Sequence, residues 1–454
     1  MTLRELLDAS PYQGYAYSYP HKMAYRDFSE PLRFRDVWAD ENLADLFLYL
    51  HIPFCEMRCG FCNLFTTTNP KDGLVARYLG ALDTQFGVVA EELSSGGKTP
   101  GFGRGAVGGG TPTFLTCSEI EQLFGLIRRH FGELPEGMPL SFEMSPGTIE
   151  ADKLRLLRDL GVTRASIGIQ SFLPEERKAL GRPGDETQTL EALSTISAAG
   201  FPVFNIDLIY GVEGQTVETW LKSIEAALEF GVQELFLYPL YVRPLTGLGR
   251  RDGVGDEAEE LAGDRRLELY RAGRDLLLSR GFRQVSMRLF RSADSPSESG
   301  QYCCQEDGML GLGVGARSYS TDIHYSSEYA VGKAGVLGIV EDFVNRASDK
   351  NRLREIDYGI EIPVDEQRRR YLIKSLLRSD GFDAGDFHAH FGDSESDNPE
   401  DRFPQLAHLR DAGLVIREGS VWQLTAEGFE RSDAIGPWLY SDDMVELMRG
   451  FELV

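Results

Sequence analysis

Cys55, Cys59 and Cys62 lie within the run His51-Ile-Pro-Phe-Cys-Glu-Met-Arg-Cys-Gly-Phe-Cys62. Three thiolates at CxxxCxxC spacing can take three corners of a cubane [4Fe–4S] cluster. The fourth iron then lacks a protein ligand and becomes a binding site rather than only an electron carrier. Competing chemistries fit less well. A structural zinc site closes with four ligands, often two CxxC pairs or a CxxC with a distant HxxxH, and neither second element occurs here. A disulfide framework suits a short secreted chain, whereas this one has 454 residues and six cysteines.

Other residues with chemical potential recur along the chain. Gly108-Gly-Gly-Thr-Pro112 offers backbone N–H groups to a negative ligand and lets main chain approach it closely. Glu143-Met-Ser-Pro146 sets a carboxylate at a strand end, where an ion pair or a helix cap would also account for it. In Arg164-x-Ser166-x-Gly-x-Gln170-Ser-Phe172, Gln170 can donate and accept at once, which suits a ribose hydroxyl or a carboxylate. Asn205-Ile-Asp207-Leu-Ile-Tyr-Gly211 carries one acid in an apolar strand. A buried unpaired carboxylate is costly, so Asp207 calls for a polar partner, either a ribose diol or a nearby Arg.

The elements that must position these residues alternate. Strands are expected at Leu46–Ile52, Gly105–Gly108, Leu140–Met144, Arg164–Ile169, Val203–Ile209 and Glu234–Tyr238. Helices are expected at Val75–Leu93, Ser118–Phe131 with Ser118 as N-cap, Glu150–Leu160, Gln188–Ala199 and Val217–Phe230. Repeated strand–helix units predict a parallel sheet with right-handed crossovers. Six units are too few for a closed eight-fold barrel, so the expectation is an α/β partial, TIM-like (β/α)6 barrel. The distinctive residues all follow or end strands, on the rim where such folds build their sites.

Composition narrows the partners. A net charge of −24 argues against a nucleic-acid or anionic-membrane surface. No apolar run reaches the length of a membrane span. The N-terminus places an acid where a signal peptide needs its apolar core. A reduced, cytoplasmic location is expected. Five tyrosines between Tyr12 and Tyr25 read as an arm packing over the main domain or as a flap over its site.

Taken in order, HIPFCxxxCxxC, GGGTPT, ExxP, R-x-S-x-G-x-Q-S-F and N-x-D-L-I-Y-G resemble the HemN/HemW group of radical S-adenosylmethionine (SAM) proteins. The resemblance is strong over about residues 45–245 and looser beyond. It implies that Cys55, Cys59 and Cys62 ligate a [4Fe–4S] cluster whose open iron is chelated by SAM. It further implies that Tyr49, Gly109, Gly110, Thr111, Glu143, Gln170, Arg182 and Asp207 contact SAM; Arg182 rests on the short match Gly181-Arg-Pro183. The expected activity is cleavage of one or two SAM molecules and 5′-deoxyadenosyl-radical chemistry on a small-molecule or peptide-derived substrate. The electron would come from a donor such as flavodoxin or ferredoxin. A two-SAM methyl transfer, an oxidation, coproporphyrinogen III decarboxylation and a heme-chaperone role are the readings that the group contains.

The chain departs from that group at two points. Asn63-Leu64-Phe65 follows the triplet where the coproporphyrinogen oxidases carry a further cysteine. Tyr302-Cys-Cys-Gln-Glu-Asp-Gly308 stands where HemW has its HNxxYW element. Adjacent cysteines chelate poorly because their side chains diverge, so Cys303 and Cys304 read either as buried thiols or as a catalytic thiol or hydrogen donor. Gly311–Gly315 (GLGVG) reads first as a tight turn and second as a place for another SAM. The expected division is an arm at 1–43, the partial barrel at 44–245, a mixed extension at 246–360 and a helical, winged-helix-like unit at 361–454.

Overall fold

The computed structural model describes residues 3–15, 18–71, 73–95, 97, 100–253, 265–296, 308–394 and 397–451. Cys303 and Cys304 lie outside the described residues.

Six parallel strands pair side by side in chain order: Leu46–Ile52, Phe102–Gly109, Leu140–Met144, Arg164–Gln170, Val203–Tyr210 and Glu234–Pro239. Helices Leu74–Ser94, Cys117–Phe131, Ala151–Asp159, Glu186–Ala199 and Val217–Leu228 cross between them. The strands bury almost every side chain; Leu46, Phe142, Ile167, Ile206 and Leu235 are each fully or nearly fully enclosed. Such runs are almost continuously apolar because both faces of a parallel sheet are covered rather than one left to solvent.

One helix starts differently from the expectation. Thr116, not Ser118, caps Cys117–Phe131: its hydroxyl accepts from the Glu119 N–H at 3.3 Å, while the Glu119 carboxylate accepts from the Thr116 N–H at 2.8 Å. This reciprocal box satisfies two otherwise orphaned donors, and Ile120, Leu123, Phe124 and Ile127 share the buried face by their helical spacing.

The flanking segments extend the same sheet to thirteen strands among the described residues. Beside the first parallel strand lie Met309–Leu312, parallel to it, and then Arg317–Tyr319, Ile323–Ser326, Glu355–Glu361 and Arg26–Arg33, each antiparallel to its neighbour. Beyond the sixth lie Leu289–Ser292 and Phe282–Gln284. These additions pair the backbone groups that the parallel edges would otherwise leave open. Arg26–Arg33 gives no periodic signal because it is an outermost strand holding Pro31, and its register shifts between Asp27 and Leu32. A proline lacks the N–H that a central strand needs.

A second apolar core belongs to the C-terminal unit. Leu372, Leu376, Phe382, Leu406, Leu409 and Trp422 fill it. Helices Val364–Leu376, Ala384–Phe391 and Gln405–Asp411 precede the hairpin Val415–Glu418 and Val421–Leu424, which Phe382–Asp383 completes as a third strand. Tyr19 and Tyr25 of the arm are buried in this core, while Tyr12 packs edge-on against Tyr210 of the fifth parallel strand. The arm therefore ties the two cores together. No helix among the described residues is long and apolar enough to cross a membrane.

Candidate functional site

All eleven expected cofactor and metal residues line one cavity of about 1600 Å³ at the C-terminal ends of the parallel strands. Cys55, Cys59 and Cys62 occupy the loop that leaves the first strand. Phe54–Cys55 pairs with Thr67–Thr68 in a short parallel ladder that closes the loop on itself. Its far side is clamped by backbone: the Gly60 N–H donates to Leu180 O at 3.1 Å and to Gly181 O at 3.2 Å, and the Leu248 N–H donates to Gly60 O at 2.7 Å. A Cβ on Gly60 would meet Leu180 O at 2.8 Å, so only glycine lets the segment between Cys59 and Cys62 seat here.

The glycine run after the second strand is equally constrained. The Gly110 and Thr111 N–H groups donate to Ile52 O and Phe54 O, each at 2.8 Å. A Cβ on Gly108 would lie 2.9 Å from the Glu143 carboxyl, and one on Gly109 2.7 Å from the His51 ring. On Gly110 it would lie 2.6 Å from Phe54 O and 3.0 Å from Cys55 Sγ. The three glycines thus accommodate a carboxylate, an imidazole and a cysteine loop in turn.

Burial pushes the Cys55 thiol up to about 12, opposed by the Thr111 hydroxyl and reinforced by Cys62 and Cys59. Burial also raises Cys59, which Arg182 pulls the other way. Thiols so placed need a cationic centre to ionise. Among the described residues no three His, Cys, Asp or Glu side chains converge as they would around one metal ion. A cubane holds its thiolates farther apart than a single ion does, and one buried and two half-buried thiols lining one cavity fit that group.

The opposite wall is acidic and polar. Glu143 accepts from the Gly109 N–H at 3.0 Å; burial raises its carboxyl to about 7, against the Gly109 N–H and with a further push from Asp207. Asp207 accepts from the Asn205 amide at 2.7 Å, and that amide also donates to Ser166 Oγ at 2.9 Å. Asn205, two residues back on the same strand face, is therefore the polar partner of Asp207 within the protein. Burial raises Asp207 to about 6, with Asn205 and then Arg164 and Arg182 pulling it down. Arg164 itself is committed below the site: it and Arg291 pair with the buried Glu234.

Gln170 has a positive φ of 71°, uncommon for a residue with a side chain. The strand register shifts at this point. The Gln170 amide folds over Gly168, where a Cβ would meet Gln170 Nε2 at 2.5 Å and Arg182 Nη1 at 3.2 Å. Arg182 donates to Ser145 Oγ at 3.4 Å, which donates on to Glu56 at 2.9 Å. His51 is a support: Tyr49 OH lies 3.3 Å from Nδ1 and Phe65 O lies 3.0 Å from Nε2. Burial lowers it to about 4, so it is neutral, with Nε2–H donating to the carbonyl. Gly313 and Gly315 form the turn between two strands, with no helix following, so GLGVG is a turn and not a nucleotide fingerprint.

The sequence reading missed part of the cavity wall. Lys22 from the arm, Arg243 from the loop after the sixth strand and Arg317 from the extension all line it. Trp438, Tyr440 and His408 of the C-terminal unit close its far end. Arg243 follows the end of the sixth strand, the kind of position where site residues are expected; Lys22 had no signal beyond its place among the arm's tyrosines.

Comparison with known proteins is consistent with this geometry. Residues 49–227 match the Radical SAM superfamily, a class whose members hold a [4Fe–4S] cluster and SAM. The chain's homologues are named heme chaperone HemW and oxygen-independent coproporphyrinogen III oxidase. The chain is 34% identical over 213 residues to heme chaperone HemW of Mycobacterium tuberculosis, a match covering 46% of this chain and 53% of that protein. The chain thus spans about half the length of that relative. It is 27% identical over 437 residues to oxygen-independent coproporphyrinogen III oxidase of Escherichia coli, covering 93% of this chain and 92% of the other. The solved structure of coproporphyrinogen III oxidase (HemN) from Escherichia coli superposes with a TM-score of 0.77 at 25% identity, over 93% of this chain and 96% of that one.

Proposed function

We propose that this protein is a HemN-like radical SAM enzyme acting on an organic substrate. The observation that carries the reading is the meeting of the buried Cys55 and the half-buried Cys59 and Cys62 with Glu143, Gln170, Arg182 and Asp207 around one cavity. Cys55, Cys59 and Cys62 would hold the cluster, and the Gly109–Thr111 backbone with Glu143 would receive the amino end of SAM. Glu143 suits an ammonium because only one of its oxygens is engaged, by the Gly109 N–H. Asp207 and Gln170, acceptor and amide on adjacent strands, suit the ribose hydroxyls. Arg182, beside Cys59 and Ser145, suits the carboxylate end. Held there, a reduced cluster would supply the electron for reductive cleavage of SAM, and so hydrogen-atom abstraction from a substrate carbon. The protein's share is positioning and exclusion of water: Tyr15 and Lys22 from the arm and Trp438 from the C-terminal unit wall in the space over the strand ends.

The test is anaerobic reconstitution, followed by SAM and a strong reductant and measurement of 5′-deoxyadenosine and S-adenosylhomocysteine. Reductant-dependent 5′-deoxyadenosine supports the reading, and S-adenosylhomocysteine beside it supports the methyl-transfer branch. Neither product, from protein with a verified cluster and bound SAM, overturns it. A second reading, heme binding, draws on the relatives named heme chaperone HemW; a heme titration followed by absorbance separates the two.

A further inference from the structure

Lys153 breaks two local rules at once. It is the third residue of helix Ala151–Asp159, and a cation in the first turn of a helix opposes the positive end of its dipole. Its side chain is also buried, with the residue 4% exposed, where a charge is costly unless it is paired and hydrogen-bonded. The helix has no local need of it, because Leu154 and Leu157 already pack its buried face. Residues that break local rules are expected where function asks for them.

The hydrogen bonds show what this lysine holds. An ammonium has three protons to donate. Thr113 O accepts at 2.8 Å, Thr148 O at 3.1 Å and the largely exposed Glu150 carboxylate at 3.5 Å. The two carbonyls belong to different turns. Thr113 lies in Pro112–Phe114, directly after Gly109–Thr111, and Thr148 in Pro146–Thr148, shortly after Glu143. A second contact joins the same turns: Thr113 Oγ1 and Thr148 Oγ1 are 2.6 Å apart. The Thr148 hydroxyl gives its proton to Ser145 O at 2.9 Å, so Thr113 is the donor of that pair. On the cavity side the two segments meet again, through the Gly109 N–H and the Glu143 carboxylate. Gly109, Thr111, Glu143 and Ser145 line the cavity, whereas Lys153 stands behind them.

Building on the radical SAM reading, we infer that Lys153 is a positioning residue for the amino-acid end of SAM. By bonding both turns from behind, it fixes the spacing between the Gly109–Thr111 backbone and Glu143, the groups assigned to the amino end. Ser145 also accepts from Arg182 at 3.4 Å, the residue assigned to the carboxylate end, so the same staple reaches both ends of the amino acid. The ribose side is independent of it. Among the described residues no hydrogen bond joins Gln170 or Asp207 to Lys153, Thr113 or Thr148.

The experiment compares two ligands, SAM and 5′-methylthioadenosine, which keeps the nucleoside and the sulfur but lacks the amino-acid part. Both dissociation constants are measured by equilibrium dialysis on anaerobic protein matched for iron content, with the thermal midpoint recorded alongside. Wild-type protein should bind SAM more tightly. In Lys153→Met, which keeps the length of the side chain without its charge, SAM should weaken about ten-fold or more, while methylthioadenosine keeps its wild-type value. Thr148→Val removes the hydroxyl between Thr113 and Ser145 but leaves Lys153 in place. It should show the same selective loss at smaller size, and it decides the matter by the same criteria if Lys153→Met fails to fold or to hold a cluster. Equal weakening of both ligands, the mark of a merely structural lysine, overturns the inference, and so does a wild-type affinity for SAM. Wild-type protein that carries a verified cluster and yet shows no preference for SAM overturns the radical SAM reading itself, and this inference with it.

Discussion

The Thr111 hydroxyl donates to Cys55 Sγ at 3.6 Å. This contact joins the glycine-rich turn after the second strand to the cysteine loop after the first, across a gap of 56 residues. It is possible because Gly110, between the turn's strand and Thr111, carries no side chain. Gly110→Ala would place a methyl carbon 2.6 Å from Phe54 O and 3.0 Å from Cys55 Sγ. Overpacking of this kind costs about 1–3 kcal/mol. We expect a lowered thermal midpoint and poor iron retention after reconstitution; wild-type values for both would show that the loop yields to the methyl.

Cys59→Ala removes one of the three thiols that line the cavity. Cluster absorbance and iron content should fall sharply, and 5′-deoxyadenosine formation should drop at least about a hundred-fold. A variant that kept both a full cluster and SAM cleavage would remove Cys59 from the ligand set.

Glu143 titrates near about 7, raised from its ordinary value of 4.5 chiefly by burial. The native state therefore keeps this proton to a higher pH than the unfolded chain does. Unliganded protein should lose stability from this group as pH rises from about 4.5 to about 7 and be level above that. SAM binding should run the opposite way, tightening through about pH 7 as the carboxylate ionises. Glu143→Gln should weaken SAM about 10-fold or more and flatten that step, leaving a lower one from Asp207, which is raised to about 6. Equilibrium dialysis across this range checks both; an unchanged profile in Glu143→Gln would detach Glu143 from SAM.

Asp433, fully buried in helix Ser432–Trp438, pairs with Arg288 and accepts from Tyr241 OH, and its carbonyl accepts from the Gly14 N–H at 3.0 Å. One residue thus binds the arm, the loop after the sixth strand and the C-terminal unit together. Asp433→Ala removes the carboxylate that pairs with the buried Arg288 and should cost about 3–5 kcal/mol, seen by thermal unfolding. Replacing Arg288 by Met and Asp433 by Leu together should recover part of that loss, since the cost lies in the unpaired charge rather than in the pair.

Most of the parallel strands were legible as short apolar runs bounded by glycine or polar residues; the second, expected at Gly105–Gly108, extends over Phe102–Gly109 because Arg104 and the glycines hide its pattern. The chemical residues were legible because they cluster in short segments at strand ends. Cys55, Cys59 and Cys62 span eight positions; Gly109, Gly110 and Thr111 are consecutive. Local spacing alone constrains what such groups can bind. Thr116 as helix cap was missed because Ser118 offers the same chemistry, and only the burial of Ile120 and Leu123 sets the phase.

What the sequence by itself determined was the class of chemistry, through residue types at fixed local spacing, and the repeated strand–helix order. Tertiary structure decided the rest, because it depends on contacts between distant segments that carry no local pattern. Arg26–Arg33 becomes a strand only because Glu355–Glu361 offers it an edge. Asp207 takes Asn205 as its partner because alternate residues of a strand share a face, while Arg164 is drawn away by Glu234. Lys22 and Arg243 are 221 residues apart, and folding alone sets them on the wall that faces the cysteines.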